Sequence, residues 1–129
     1  RLGRYSDALA DFDRAVQLRP RSYWGFYQRA LTRYYLDPDD DWKPDLERAH
    51  ELATAAYERD PSDMWNLFNL ALCNLFVDDG TAADALYTEA LAAADELARR
   101  EALRDLDDYL LLFPDNAQAA RWRERLEEG

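Results

Sequence analysis

The chain has 129 residues, 48% of them hydrophobic and 33% charged, which is typical of one folded domain and excludes a disordered composition. With 16 basic against 27 acidic residues, its formal net charge is −11, which argues against nucleic-acid binding through phosphates and against attachment to an anionic membrane surface. The single cysteine, Cys73, excludes an intramolecular disulfide. The sequence also shows no signal peptide and no apolar run of membrane-spanning length, so we predict a cytoplasmic protein.

The apolar residues recur at helical spacing, as at Leu9 and Phe12, and no segment alternates with a period of two. Pro44 fits the first turn of a helix, and Ser62 and Asp63 can cap the next one. We predict seven helices, over residues 4–18, 21–36, 44–59, 62–77, 81–95, 97–112 and 115–127. Short linkers make consecutive helices antiparallel neighbours, so the predicted fold is an all-α antiparallel helix-pair solenoid.

The segment of residues 2–20 carries a recognisable pattern of small and bulky residues. A Gly-x-Tyr turn is followed by Ala8, Phe12 and Ala15, and Pro20 closes the segment. The alanines allow a neighbouring helix to approach closely, and the phenylalanine fills the gap between them. This segment resembles the second half of a tetratricopeptide repeat (TPR). The resemblance implies a TPR-like α-α superhelix with a concave groove that accepts a partner segment.

The pattern recurs with irregular spacing. It begins again at Ala49, Ala83 and Ala102, and only the step from Ala49 to Ala83 has the 34-residue period of the family. We therefore predict a single domain with the second half of a repeat over 1–20, a repeat with an insertion at 37–43 over 21–61, a repeat over 62–95 and capping helices over 96–129. The helix that would precede residue 4 is missing, so we expect the chain to be part of a longer array.

Few residues point to catalysis or metal binding. His50 and Cys73 are the single histidine and thiol, and both are interpreted as packing or solvated residues. The acidic run of Asp37 and 39–41 lacks the spacing of a calcium loop and is interpreted as a flexible insertion. We expect no enzymatic activity, no cofactor and no metal. An enzyme that uses His50 or the acidic run is the least favoured alternative.

Recognition is the more promising function. In the resemblance, the helices at 21–36 and 62–77 line the groove, and their candidate partner-binding residues are Trp24, Tyr27, Tyr34, Trp65, Phe68 and Asn69. Aromatic side chains bury area at low entropic cost, and the amides of Asn66 and Asn69 can bond an extended backbone. The opposing interpretation is that the aromatic residues form the core, because a stripe at helical spacing usually packs inside.

The charge is uneven along the chain. Residues 1–36 carry +4 and residues 37–97 carry −13. We therefore expect a noncatalytic interaction scaffold whose protein or peptide partner is basic or neutral, with no nucleic-acid or membrane partner. The alternative is a structural, self-association or spacer module of a larger multidomain protein. Only one of the sixteen basic residues is a lysine, a bias that favours a high-GC bacterial source.

Overall fold

The computed structural model describes residues 2–76 and 80–128, with side chains from residue 7 onward. Within these ranges the chain forms seven helices and no strand, so the predicted all-α fold is confirmed. The helices are α1 (Leu2–Leu18), α2 (Tyr23–Leu36), α3 (Lys43–Arg59), α4 (Met64–Phe76), α5 (Gly80–Ala93), α6 (Glu96–Leu112) and α7 (Ala117–Glu128). The predicted end of the fourth helix, residue 77, lies outside the described residues.

Side chains cap the starts of α4, α6 and α7, and at α7 the Asn116 side chain accepts the N–H of Ala119 at 3.1 Å. The Asp63 carboxylate accepts the backbone N–H of Trp65 at 2.8 Å, as predicted for the start of α4. The Ser62 hydroxyl instead donates to the Asp60 carboxylate at 2.8 Å, so it does not cap this helix. Asp95 caps α6 by accepting the N–H of Ala98 at 2.8 Å. These helix starts therefore follow from local hydrogen bonding that the sequence already indicates.

Three of the corners between helices share one geometry. Pro20, Pro61 and Pro114 each lie two residues beyond a helix end, because proline cannot continue the helical hydrogen-bond ladder. The residue before each proline donates its N–H to the carbonyl four residues back, and its own carbonyl accepts an N–H from three residues ahead. These corners span residues 19–22, 60–63 and 113–116. One turn is thus repeated three times along the chain.

The chain divides into two compact units, residues 1–55 and 56–129. In the first unit α1 and α2 pack against each other around Gly25. A Cβ atom at this glycine would lie 3.1 Å from the Cγ1 of Val16 and 3.5 Å from the Cβ of Ala15. The missing side chain therefore allows the two helix backbones to come close together.

An arginine–aspartate network ties three helices of the first unit together. Arg29 on α2 donates two hydrogen bonds to the carboxylate of Asp45 on α3, at 2.8 and 2.6 Å, and a third to Asp13 on α1 at 3.0 Å. Arg33 adds a bond to Asp45 at 3.1 Å. Asp45 is almost fully buried, so its charge depends on these two guanidinium groups for compensation.

The second unit is built around α4, which is buried on nearly all sides. Its residues from 70 to 76 are all buried, and it packs against α5 and α6. The hydroxyl of Tyr109 on α6 donates to the carbonyl of Leu75 at 3.2 Å and accepts the side-chain amide of Asn116 at 3.0 Å. The central position of α4 in this unit explains why its residues are apolar on nearly all sides.

A polar cluster joins α5 to α7. The carboxylate of Asp84 accepts hydrogen bonds from the Gln118 amide and the Trp122 indole, each at 2.7 Å. The Gln118 amide also donates to the carbonyl of Gly80 at 2.6 Å. The bonds from Gln118 and Trp122 hold the pKa of Asp84 below its ordinary value. Trp122 in turn stacks on Tyr87, with ring centroids 5.2 Å apart.

Replacing Arg29 tests how far the first unit depends on its ion network. Arg29→Met removes three hydrogen bonds from two carboxylates and leaves the buried Asp45 with Arg33 alone. We expect the free energy of unfolding to fall by about 3 kcal/mol, because an undercompensated charge remains buried. Urea denaturation followed by circular dichroism measures this change.

Arg48→Met is the matched control. Arg48 lies on the exposed side of α3 and pairs with the exposed Glu51, so its loss should cost less than about 0.5 kcal/mol. Equal destabilisation by the two substitutions would show that the buried network has no special role.

Candidate interaction surfaces

Cys73 and the acidic turn, two of the features considered for chemistry, take part in packing and in local hydrogen bonding. Cys73 is fully buried in α4, and burial raises the pKa of its thiol. In the acidic turn, the side chains of Asp37 and Asp40 accept backbone N–H groups of the same turn, at 3.0 and 2.8 Å. Across the described residues, no group of three or more histidine, cysteine or acidic side chains is arranged to hold a metal ion.

Two of the predicted contact residues belong to the core. Tyr27 is 1% exposed and Phe68 is 5% exposed. Phe68 packs against Tyr87 of α5, with ring centroids 6.1 Å apart. The burial of these two side chains agrees with the opposing interpretation, in which the aromatic residues form the core, and their role in partner binding stays a prediction.

The other aromatic candidates keep part of their surface in water. Trp24 is 48% exposed at the start of α2, and Trp65 is 39% exposed at the start of α4. Tyr34 is half-buried and meets Trp42 edge-on, with centroids 5.2 Å apart. The indole of Trp42 donates to the carbonyl of Pro38 at 2.9 Å, which fixes the acidic turn against α2. Trp24 and Trp65 are thus the candidates with the most accessible ring surface.

The two asparagines of α4 have different environments. The side-chain amide of Asn66 donates to the carbonyls of Ala56 and Asp60, at 3.0 and 3.2 Å. These carbonyls lie at the C-terminal end of α3 and also accept the backbone N–H groups of Asp60 and Asp63, so the amide adds a further bond to each. Asn66 therefore closes a helix end instead of presenting its amide to a partner. Asn69 is half-buried and keeps its place among the candidates.

An apolar cleft opens at the corner between α1 and α2. We call it the Trp24 cleft; its volume is about 350 Å³, and it is lined by Ala15, Leu18, Arg19, Ser22, Trp24 and Gly25. Leu18, the last residue of α1, is 74% exposed, and the Trp24 ring rests edge-on against Phe12 at 5.3 Å. The cleft therefore presents a leucine and a tryptophan to solvent beside an arginine.

A second cleft, with a mixed polar and apolar lining, opens at the corner between α6 and α7. We call it the Phe113 cleft; its volume is about 430 Å³, and its walls include Phe76, Tyr109, Leu112, Phe113, Pro114 and Asp115. Phe113 packs against Tyr109 at 4.8 Å and against Phe76 at 5.5 Å. The nearby Leu111 is 70% exposed. This corner combines an aromatic wall with a carboxylate at its rim.

Neither cleft was predicted from the sequence. The apolar spacing predicts a helix that ends at residue 18 before Pro20, and it does not predict that the Leu18 side chain is exposed. Net charges summed over residues 1–36 and 37–97 do not show the local charge at each corner. Residues 14–36 contain five arginines and no acidic residue, whereas residues 105–120 contain four aspartates and no basic residue. A finer charge pattern was therefore available in the sequence.

Comparison with models of protein families gives no match, and comparison with curated proteins also gives none. Function is therefore argued from the residues of this chain. Among the described residues, no helix combines the length and the apolar character that crossing a membrane requires.

One carboxyl group in the second unit has a strongly altered proton affinity. Burial on α6 raises the pKa of Asp105 to about 7, and the neighbouring charges of Asp108 and Glu101 act in the same direction against the opposing effect of Arg104. In the unfolded chain the ordinary value is 3.8. The folded state therefore binds an additional proton between these two pH values, and stability falls as the pH rises through this interval.

Asp105→Asn removes this titration. We expect the variant to be more stable than the wild type above pH 7. Between pH 3.8 and about 7, its stability should fall less steeply with rising pH than that of the wild type. Urea denaturation across a pH series measures the difference between the two proteins. Parallel curves for the wild type and Asp105→Asn would contradict the assignment.

Proposed function

We propose that this protein is a noncatalytic interaction module of the TPR-like helical-repeat class. The alanines at 49, 83 and 102 that carry the repeat pattern are 0–5% exposed, as expected where helices cross closely. The thrice-repeated proline corner adds support for a repeat architecture. A cytoplasmic, bacterial setting is part of the proposal and is supported by the single cysteine and the scarcity of lysine.

The Trp24 cleft is the observation that carries the proposed binding function. Leu18 and Trp24 leave much of their apolar surface in water, and tryptophan is enriched among residues that dominate binding energies. Because the cleft lies between two packed helices, its walls are held in place before a partner arrives. Such preorganisation lowers the entropic cost of binding.

The charge around this cleft defines the chemistry of its partner. Arg14, Arg19 and Arg21 are exposed near the corner, and no acidic residue occurs between 14 and 36. A segment with an apolar side chain flanked by carboxylates would complement both features. The preference for a basic or neutral partner stays a prediction for the acidic surfaces of residues 37–97, where Trp65 and Asn69 are the candidate contacts.

Selection from a displayed peptide library tests the proposal. We expect the immobilised protein to enrich peptides in which an aromatic or aliphatic residue lies beside Asp or Glu. Trp24→Ala should weaken the binding of the enriched peptides by about tenfold or more, because a buried interface tryptophan contributes about 2 kcal/mol or more. Isothermal titration calorimetry with synthetic peptides measures the loss.

Tyr35→Ala is the matched control, because Tyr35 is a similarly exposed aromatic residue at the other end of the same helix. Its affinity for the selected peptides should equal that of the wild type. Enrichment of no peptide class, or equal binding by Trp24→Ala and the wild type, would refute the proposed function of the cleft.

A further inference from the structure

We propose that the Trp24 cleft binds the Phe113 corner of a second copy of this chain, so that copies associate head to tail. This inference rests on the proposed function of the Trp24 cleft and names its partner. The two surfaces belong to different units of the chain, and each is lined by residues of its own unit.

The charges available at the two corners are opposite. Of the five arginines in residues 14–36, Arg29 and Arg33 are engaged with Asp45 inside the first unit, and the other three are exposed. In residues 105–120, Asp107 bonds to Arg123, and the exposed carboxylates are those of Asp108 and Asp115. The exposed arginines of one corner and the exposed aspartates of the other therefore carry complementary charges.

The apolar surfaces are complementary as well. Leu18 projects from the first corner and is the side chain suited to enter the aromatic Phe113 cleft. Leu111 is 70% exposed beside the second corner and is suited to cover the ring of Trp24. Each contact removes an exposed leucine from water against an aromatic surface, which is the main favourable contribution to association.

The pairing of two different surfaces determines the kind of assembly. After one contact forms, each end of the pair still presents an unused cleft. Such heterologous contacts generate a ring if the rotation between copies closes, and an open chain if it does not. The expected product is therefore a series of oligomers larger than a dimer, or one closed ring, whose mass increases with protein concentration until the sites are filled.

Two charge-reversal variants test the pairing. Arg19→Glu combined with Arg21→Glu gives a protein whose two corners are both acidic, and Asp108→Arg combined with Asp115→Arg gives one whose corners are both basic. We expect the wild type to associate in sedimentation velocity experiments and each variant alone to bind at least about tenfold more weakly, because like charges oppose each other across the interface. An equimolar mixture of the two variants should recover the association, since opposite charges again meet at every contact.

Circular dichroism establishes that the variants are folded, and all four substituted side chains are exposed. The salt dependence of the wild type provides a readout without substitution: raising the ionic strength should weaken association, because exposed charges are screened. A wild type that stays monomeric at all concentrations would overturn the inference, as would a mixture that fails to associate.

The outcomes separate this inference from the function on which it rests. A monomeric wild type that binds selected acidic peptides through Trp24 would disprove self-association and leave the peptide-binding function intact. Association that is unchanged by Trp24→Ala and by both charge reversals would place the contact on other surfaces and overturn the proposed pairing.

Discussion

Close approach between helices is the constraint on which the rest of this structure depends. Alanines with no accessible surface occur along the helices, at positions 30, 49, 71, 83, 90, 98 and 119. Because alanine contributes only a methyl group, a neighbouring helix can pack against the backbone itself. The larger buried residues, such as Leu106 and Tyr87, then fill the space left beside each crossing. An added methylene at such an alanine would force apart two helices at once, since protein interiors hold few voids.

Packing through alanines alone does not determine how two helices are oriented. Polar networks supply that orientation. A surface of methyl groups permits two helices to slide or rotate past each other, whereas the paired bonds from Arg29 to Asp45 are satisfied in one relative position. The bonds of Gln118 and Trp122 to Asp84 act in the same way between α5 and α7. Burying such groups costs solvation energy, so we interpret both networks chiefly as determinants of a specific arrangement.

Local features of the sequence predict much of this fold, and side-chain environments much less. Helix positions follow from apolar spacing, and corners follow from proline, because both depend on residues close in sequence. The exposure of an aromatic residue depends on which neighbouring helix covers it. Tyr27 and Trp24 lie one turn apart on α2, yet one is buried and the other half exposed. Likewise, Asn66 bonds to the end of α3 through a contact that only the folded chain creates.

The corners between helices account for apolar surface that stays exposed beside a well-packed core. Proline stops the helix two residues after Leu18, so no further helical turn covers that side chain, which is 74% exposed. An apolar residue is thus left at the surface by the turn itself. Arg21 follows the first proline and Asp115 follows the second, so one backbone geometry presents opposite charges at two places. In the proposed pairing, specificity comes from this difference in charge, because like corners repel each other and unlike corners attract.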